Sequence, residues 1–522
     1  TDMAAHLEAN PAARAVVNFA PILLEQLEDY ALNIEHFFDE NAPLNDWLLR
    51  ALVDVTLPHD EESSLRLLKQ CLKANETRLI QRFEPFQKLV QLARHALENP
   101  LTLLYVNGQF LADLLVWYHI AWLGESVRNH PVIKQLMDKK SQFGVRDREQ
   151  LLRVIGEAIR GIIPRYRRLL EQNRVELSFS PYSHPIIPLM IDFKSAEEAM
   201  PGTALPAAMH YPNGEERAHW HIQHGIEVFE RYFGQPPTGC WPSEGSISDA
   251  ALKLFAEHNV KWIATGQQVL RNSLNRAQIN TGCIHRPYRV QSIPVECFFR
   301  DDQLSDAIGF HYSNWHADDA VNDLIHTLEN INNACLDTPN RLVPIILDGE
   351  NCWEYYPNNG HYFLQALYAK LSQHPKLNLT TFKDYLATMQ NAAFTLPSIM
   401  AGSWVYGTFS TWIGCEDKNR GWDLLVQAKQ TLDTLIKNNA LSEKAKQLSL
   451  EQLALCEGSD WFWWFGDYNP SETVHDFERL YREHLINLYR FMGQPVPEVL
   501  SKVISRGHGN PENSGVMRRS QE

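Results

Sequence analysis

Among its eight cysteines the chain has no Cys-x-x-Cys pair. That absence removes the usual zinc-ribbon spacing and the thioredoxin-type redox motif. Positions 71, 240, 283, 297, 335, 352, 415 and 456 read instead as scattered, buried thiols of a reducing, cytoplasmic compartment, not as disulfides or a zinc site. No apolar run approaches bilayer-spanning length, so no membrane partner is expected. Basic charge is in deficit, with 48 Lys and Arg against 63 Asp and Glu and a formal charge of −15. Phosphate recognition draws on basic patches, so nucleic acid is a poor partner and an uncharged polymer suits the surface better. A phosphate loop, a dinucleotide fingerprint, a nucleophile elbow and a His-Glu-x-x-His pair are all missing, as are fixed-period repeats and low-complexity linkers.

What remains is a long α/β chain. At 522 residues it exceeds what one core usually holds. The segment from Ala15 to Ala20 reads as a strand, with a helix starting at Ile22. From Leu44 to about Glu171 apolar residues recur at spacings of three and four, which predicts a helical insertion. Strand and helix signals then alternate through Val175 to Phe179, Gly239 to Trp241, Trp262 to Ala264, Val295 to Phe298 and Val343 to Leu347. Beyond residue 385 the pattern is helical again, at Trp422 to Ile436, Leu450 to Cys456 and Phe477 to Phe491, which predicts a small bundle. The expected division is 1–385 for the β/α region, with 44–171 inserted, and 386–522 for a helical domain that contributes to the cleft. The polar stretch 505–522 is expected to be disordered.

Two short segments carry the chemistry. Trp241-Pro242-Ser243-Glu244-Gly245 and Leu347-Asp348-Gly349-Glu350-Asn351 each place an acid where an apolar run ends. Both acids therefore belong to loops beyond strand carboxyl ends, where α/β barrels build their sites. Helix caps and turn carboxylates are the alternative. Pro242, Gly245, Trp353, Tyr355, Tyr356 and Pro357 surround the acids with stiff backbone and flat apolar faces, and such faces suit sugar rings. A carboxylate nucleophile paired with a protonated acid is what a retaining glycosidase requires. Glu350 and Glu354 compete with Asp348 for the acid role, but Asp348 is the first polar residue after the run.

On these motifs the chain resembles glycoside hydrolase family 57, the α-amylase, amylopullulanase and glucanotransferase family. The matching stretches, in order, are Val17 to Pro21 with Leu23 to Leu27, Ser180 to Leu189, Trp241 to Gly245, Phe299 to Asp301 with Leu304 to Asp306, Leu347 to Pro357, and Trp404 to Asn419. The resemblance implies an incomplete (β/α)7-type barrel with a helical insertion and a C-terminal α-helical bundle. It also implies a retaining enzyme acting on α-glucans, with Glu244 as nucleophile, Asp348 as general acid/base and no metal or other cofactor. Hydrolysis of the amylopullulanase kind leads, with 4-α-glucanotransferase, branching enzyme or a non-catalytic glucan-binding member as alternatives. One departure stands out. The family's opening His-Gln-Pro motif does not occur before Asn18, so the first strand and its sugar-binding His are expected to be lost by truncation.

Other residues carry paired readings. The resemblance makes His184 a substrate contact, whereas a loop histidine bonded to backbone would look the same. Trp241 either floors a sugar subsite or packs the strand end. Arg300 and Asp301, with Asp306, either meet sugar hydroxyls or brace one another. Trp353 belongs to the aromatic wall, and Trp404 and Trp412, near Lys418 and Asn419, are expected to reach over the barrel mouth. The run Trp461-Phe462-Trp463-Trp464-Phe465 reads as bundle core. Of His219, His221 and His224, only the last two share a helix face, which speaks against a metal there.

Overall fold

The structure is a computed structural model that describes all residues except 58–59, 282, 339, 350–351, 390–392, 511–514 and 519–522. Glu350 and Asn351, part of the second acid motif, thus lie outside the described residues. Seven strands form one sheet: β1 (Ala15–Phe19), β2 (Val175–Phe179), β3 (Gly239–Cys240), β4 (Trp262–Thr265), β5 (Tyr288–Val290), β6 (Glu296–Phe299) and β7 (Phe394–Leu396). They run in the order β1-β2-β3-β4-β6-β5-β7, parallel throughout except where β5 meets β6. With helices on the connections, this is an incomplete (β/α)7-type barrel.

Parallel strands need crossover helices, which cover both faces and bury the strands completely. All residues of β2, β4 and β6 are buried accordingly. Two acids sit inside these strands and are not left bare. Glu176 accepts from Trp262 Nε1 at 2.7 Å and from the Lys383 amide at 2.8 Å, and Glu296 pairs with Arg289. Crossovers are supplied by the helices Gly214–Phe233 and Asp249–Glu257, the second capped by Ser248, whose Oγ accepts from Ala251 N.

Between β1 and β2 the chain is helical, and residues from Ile34 to Val154 form a hydrophobic core of their own. The C-terminal helices Glu416–Lys437, Glu443–Cys456, Asp460–Trp464 and Ser471–Phe491 instead share one core with the sheet. Among the described residues no helix is long and apolar enough to cross a membrane.

Four expectations need correction. Residues 341–347 do not form a strand. Pro344 has no N–H to give a ladder, and the segment is held by bonds of other kinds. The sheet gains β5 and β7, three residues each, too short to show periodicity, and β7 joins beyond residue 385. Cys283 and Cys335 are joined as a disulfide across a sequence separation of 52, a pairing no local spacing announces. The stretch 505–522 is ordered in part. The Ser505 hydroxyl donates to Asp417, Trp463 Nε1 donates to Gly515 O, and Met517 is buried. Residues 511–514 and 519–522 lie outside the described ones.

At one end of the sheet, β1 pairs only with β2 among the described strands. A cavity of about 1330 Å3 runs along it, lined by Ala15 to Asn18 on one side and by residues 340–349 on the other.

Candidate active site

Glu244 follows β3 by four residues, on a single turn, Ser243–Gly245. The ladder is extended to Trp241, whose N–H donates to Phe179 O at 3.0 Å, and Pro242 then stops it. Glu244 itself is left-handed, at φ 56° and ψ 28°. For a residue with a Cβ that conformation costs on the order of 1 kcal/mol and persists only where neighbours enforce it. They do so here. Gly245 N donates to Pro242 O at 2.7 Å, Ser246 N to Ser243 O at 2.9 Å, and Trp404 N to Glu244 O at 3.1 Å. Gly245 is also left-handed and sits against Trp404 and Trp241, where a Cβ would come within 3.1 Å and 3.2 Å of their side chains.

The Glu244 carboxyl opens into the cavity, yet protein atoms crowd it closely. Its Oε2 accepts from Trp404 Nε1 at 2.9 Å. Burial first, and the charge of Asp348 second, push it up to about 8, against the opposing pull of the Trp404 bond. A folded-state value raised above the ordinary 4.5 gives stability that is complete below 4.5 and lost as pH rises through about 8. Glu244→Gln should therefore leave stability almost unchanged at pH 4 and raise it at pH 9 by on the order of 3 kcal/mol, with a higher Tm there, once screening at the cavity face is allowed for. Thermal melts of both proteins at the two pH values check this; an equal difference at both would contradict it.

Asp348 ends the segment 341–348, which side chains and single backbone bonds hold beside β6. Arg341 donates to Cys335 O and Thr338 O, Leu342 N to His285 O, and Ile346 N to Ser305 Oγ. Asp301 N donates to Pro344 O at 2.8 Å, and Arg300 Nε to Ile346 O at 2.9 Å. Arg300 also pairs with Asp302 and Asp306, while Asp301 caps the next helix at Leu304 N and bonds His285. Arg300 and Asp301, offered above as sugar contacts or braces, are thus buried beside this segment and absent from the cavity wall.

The cavity wall brings together Glu244, Asp348, His184, Trp241, Trp353 and Trp404. His184 is left-handed at φ 65°, and its Nδ1 lies 2.8 Å from Ser459 Oγ. Trp241 and Trp404 meet edge to face at 5.3 Å. Trp353 also packs on Tyr356 and Phe363. Trp412 is a correction. It is fully buried between Trp422 and Trp463 and does not reach the cavity. Lys418 is likewise internal, donating to Phe462 O, Phe465 O and the Tyr468 hydroxyl.

Two acids escaped sequence reasoning, one on the cavity wall and one in a buried network. Asp460 opens the short helix Asp460–Trp464 and lines the cavity, and one carboxylate oxygen each from Asp460 and Glu244 lies within 4.8 Å of a His184 ring nitrogen. Such a trio can share a cation or bind a run of hydroxyls. Its signal was the acid directly before the aromatic run. Phe462, Trp463, Trp464 and Phe465 are in the core as expected, while Trp461, Trp463 and Trp464 also present a side to the cavity. Glu457 is the second. Burial would raise its carboxyl, but Arg217 at 2.5 Å and His221 at 2.8 Å outweigh that and hold it ionised well below the usual range. Tyr211 donates to it as well. His221 thus serves this buried network, while His224 stacks on Trp220 and His219 meets His258.

The profile of glycosyl hydrolase family 57 matches residues 61–398. The chain belongs to that family. No match to a curated protein sequence was found. Among solved structures, this family-57 chain is similar to the family-57 branching enzyme of Thermococcus kodakaraensis, crystallised with glucose, at 12% identity and a TM-score of 0.53, covering 92% of this chain and 89% of that one. It is also similar to the α-amylase AmyC of Thermotoga maritima, at 14% identity and a TM-score of 0.51, covering 94% and 95%. At such identities the likeness concerns the fold.

Proposed function

We propose that this family-57 protein is a retaining enzyme of α-glucans, with Glu244 as nucleophile and Asp348 as general acid/base. The observation that carries the reading is that these two acids, 104 positions apart in sequence, line one tryptophan-walled cavity and feel each other's charge. Burial and the charge of Asp348 favour a proton on this pair up to about pH 8, seated on Glu244 when no substrate is bound. The productive arrangement has it on Asp348. Glu244 then attacks the anomeric carbon while Asp348 protonates the departing oxygen; in the second half Asp348 removes a proton from the acceptor that releases the glucosyl-enzyme. Trp241, Trp353 and Trp404 offer faces for sugar rings, and His184 and Asp460 offer polar groups for hydroxyls beside the nucleophile.

Water as acceptor makes the enzyme an amylase or amylopullulanase, which is the reading preferred here; a sugar hydroxyl makes it a glucanotransferase or branching enzyme. Cytoplasmic residence belongs to the same reading, supported by the buried thiols at 71, 240, 297 and 456. Incubation with soluble starch, pullulan and maltooligosaccharides, following reducing ends and chain lengths together, tests it. New reducing ends are expected. Redistribution without them would assign transfer, and retention on glucan with neither change would leave a binding protein.

A further inference from the structure

Cys283, His285 and Cys335 meet outside the cavity wall. Both cysteines are buried, the His285 side chain is 12% exposed, and one donor atom from each of the three lies within 4.8 Å of the others. His285 Nδ1 is 3.9 Å from Cys283 Sγ, and its Nε2 is 2.8 Å from Asp301 Oδ2. The other oxygen of Asp301 accepts from Leu304 N, so the carboxylate is fixed and sets the plane of the ring. Two sulphurs with an imidazole whose far nitrogen rests on a carboxylate make a donor set suited to a zinc-like cation, complete with the outer partner that orients metal-binding histidines. Three protein donors leave one position for water.

We propose that the dithiol form of this chain binds one zinc-class divalent cation through Cys283 Sγ, Cys335 Sγ and His285 Nδ1, with Asp301 steering the imidazole. In the disulfide form the sulphurs are engaged with each other. A small-molecule thiol converts one form to the other, giving two electrons and two protons to the Cys283–Cys335 bond and leaving as its own disulfide. Cation binding then releases the two thiol protons to solvent. Either state clasps the same pieces. Cys335 O accepts from Arg341, His285 O from Leu342 N, and Asp301 N donates to Pro344 O, all on the segment that leads to Asp348.

The test uses the whole chain purified under a phosphine reductant, with free thiols at 283 and 335 verified by alkylation and mass spectrometry. Titration with Co2+ is followed by absorption, and Zn2+ by competition with a chromogenic chelator. One equivalent is expected, with a thiolate-to-cobalt charge-transfer band. Cys283→Ser combined with Cys335→Ser should abolish it, His285→Gln should weaken it at least about tenfold, and Cys71→Ser, at a buried thiol elsewhere, should leave it intact. Circular dichroism of each variant separates lost binding from lost fold. No uptake by the folded dithiol chain, uptake that survives the double serine variant, or a bond at 283 and 335 that resists reductant in the folded chain would each overturn the proposal.

Discussion

Glu244→Gln is expected to lower kcat on α-glucan by at least about 10⁴-fold with little change in glucan affinity, because removing a covalent nucleophile deletes the pathway and leaves the binding surface. The substitution is nearly isosteric, and its amide oxygen can still accept from Trp404, so the left-handed turn should survive. A sharper readout uses Glu244→Gly, an aryl α-glucoside and azide. With the carboxylate gone, azide enters from the face Glu244 occupied and the product is the β-glucosyl azide. Residual turnover near that of the parent, or an α-azide product, would remove Glu244 from the nucleophile role.

Asp348→Ala should behave differently according to the leaving group. On glucan, whose departing sugar needs a proton, we expect a loss of about 10²–10⁴-fold. On an aryl glucoside with a good leaving group the first step is nearly spared, the glucosyl-enzyme accumulates, and azide releases it as the α-glucosyl azide. The same change removes the charge that helps hold Glu244 up near 8 and the proton that the active pair loses there, so the alkaline limb of kcat/KM near that pH should disappear. A uniform loss across leaving groups with the alkaline limb retained would mean that Asp348 acts only as a structural carboxylate.

The sequence disclosed most where side-chain type and burial agree. Val175 to Phe179 and Trp262 to Thr265 are β-rich runs between turn signals, and they are strands. The turn that carries Glu244 was readable because Pro242 and Gly245 bracket it. The place of Asp348 on the cavity wall followed from a partly mistaken reason, since its apolar run is not a strand but a segment lashed down by Arg300, Asp301 and Ser305. Trp412 shows the opposite failure. A tryptophan near Gly and Ser looks like a platform, and only tertiary packing buries it under Trp422 and Trp463. Asp460, Glu457 and the Cys283–Cys335 pair depend on contacts between residues far apart in order, which no window of sequence contains.

The two acids ride on mounts of unequal stiffness. Glu244 is bolted to the sheet by a chain of main-chain bonds, whereas the segment that ends at Asp348 is held beside β6 by side-chain guys and two isolated main-chain bonds. In the proposed mechanism the acid/base, which first gives a proton and later takes one back, has use for some play, and the nucleophile has none to spare.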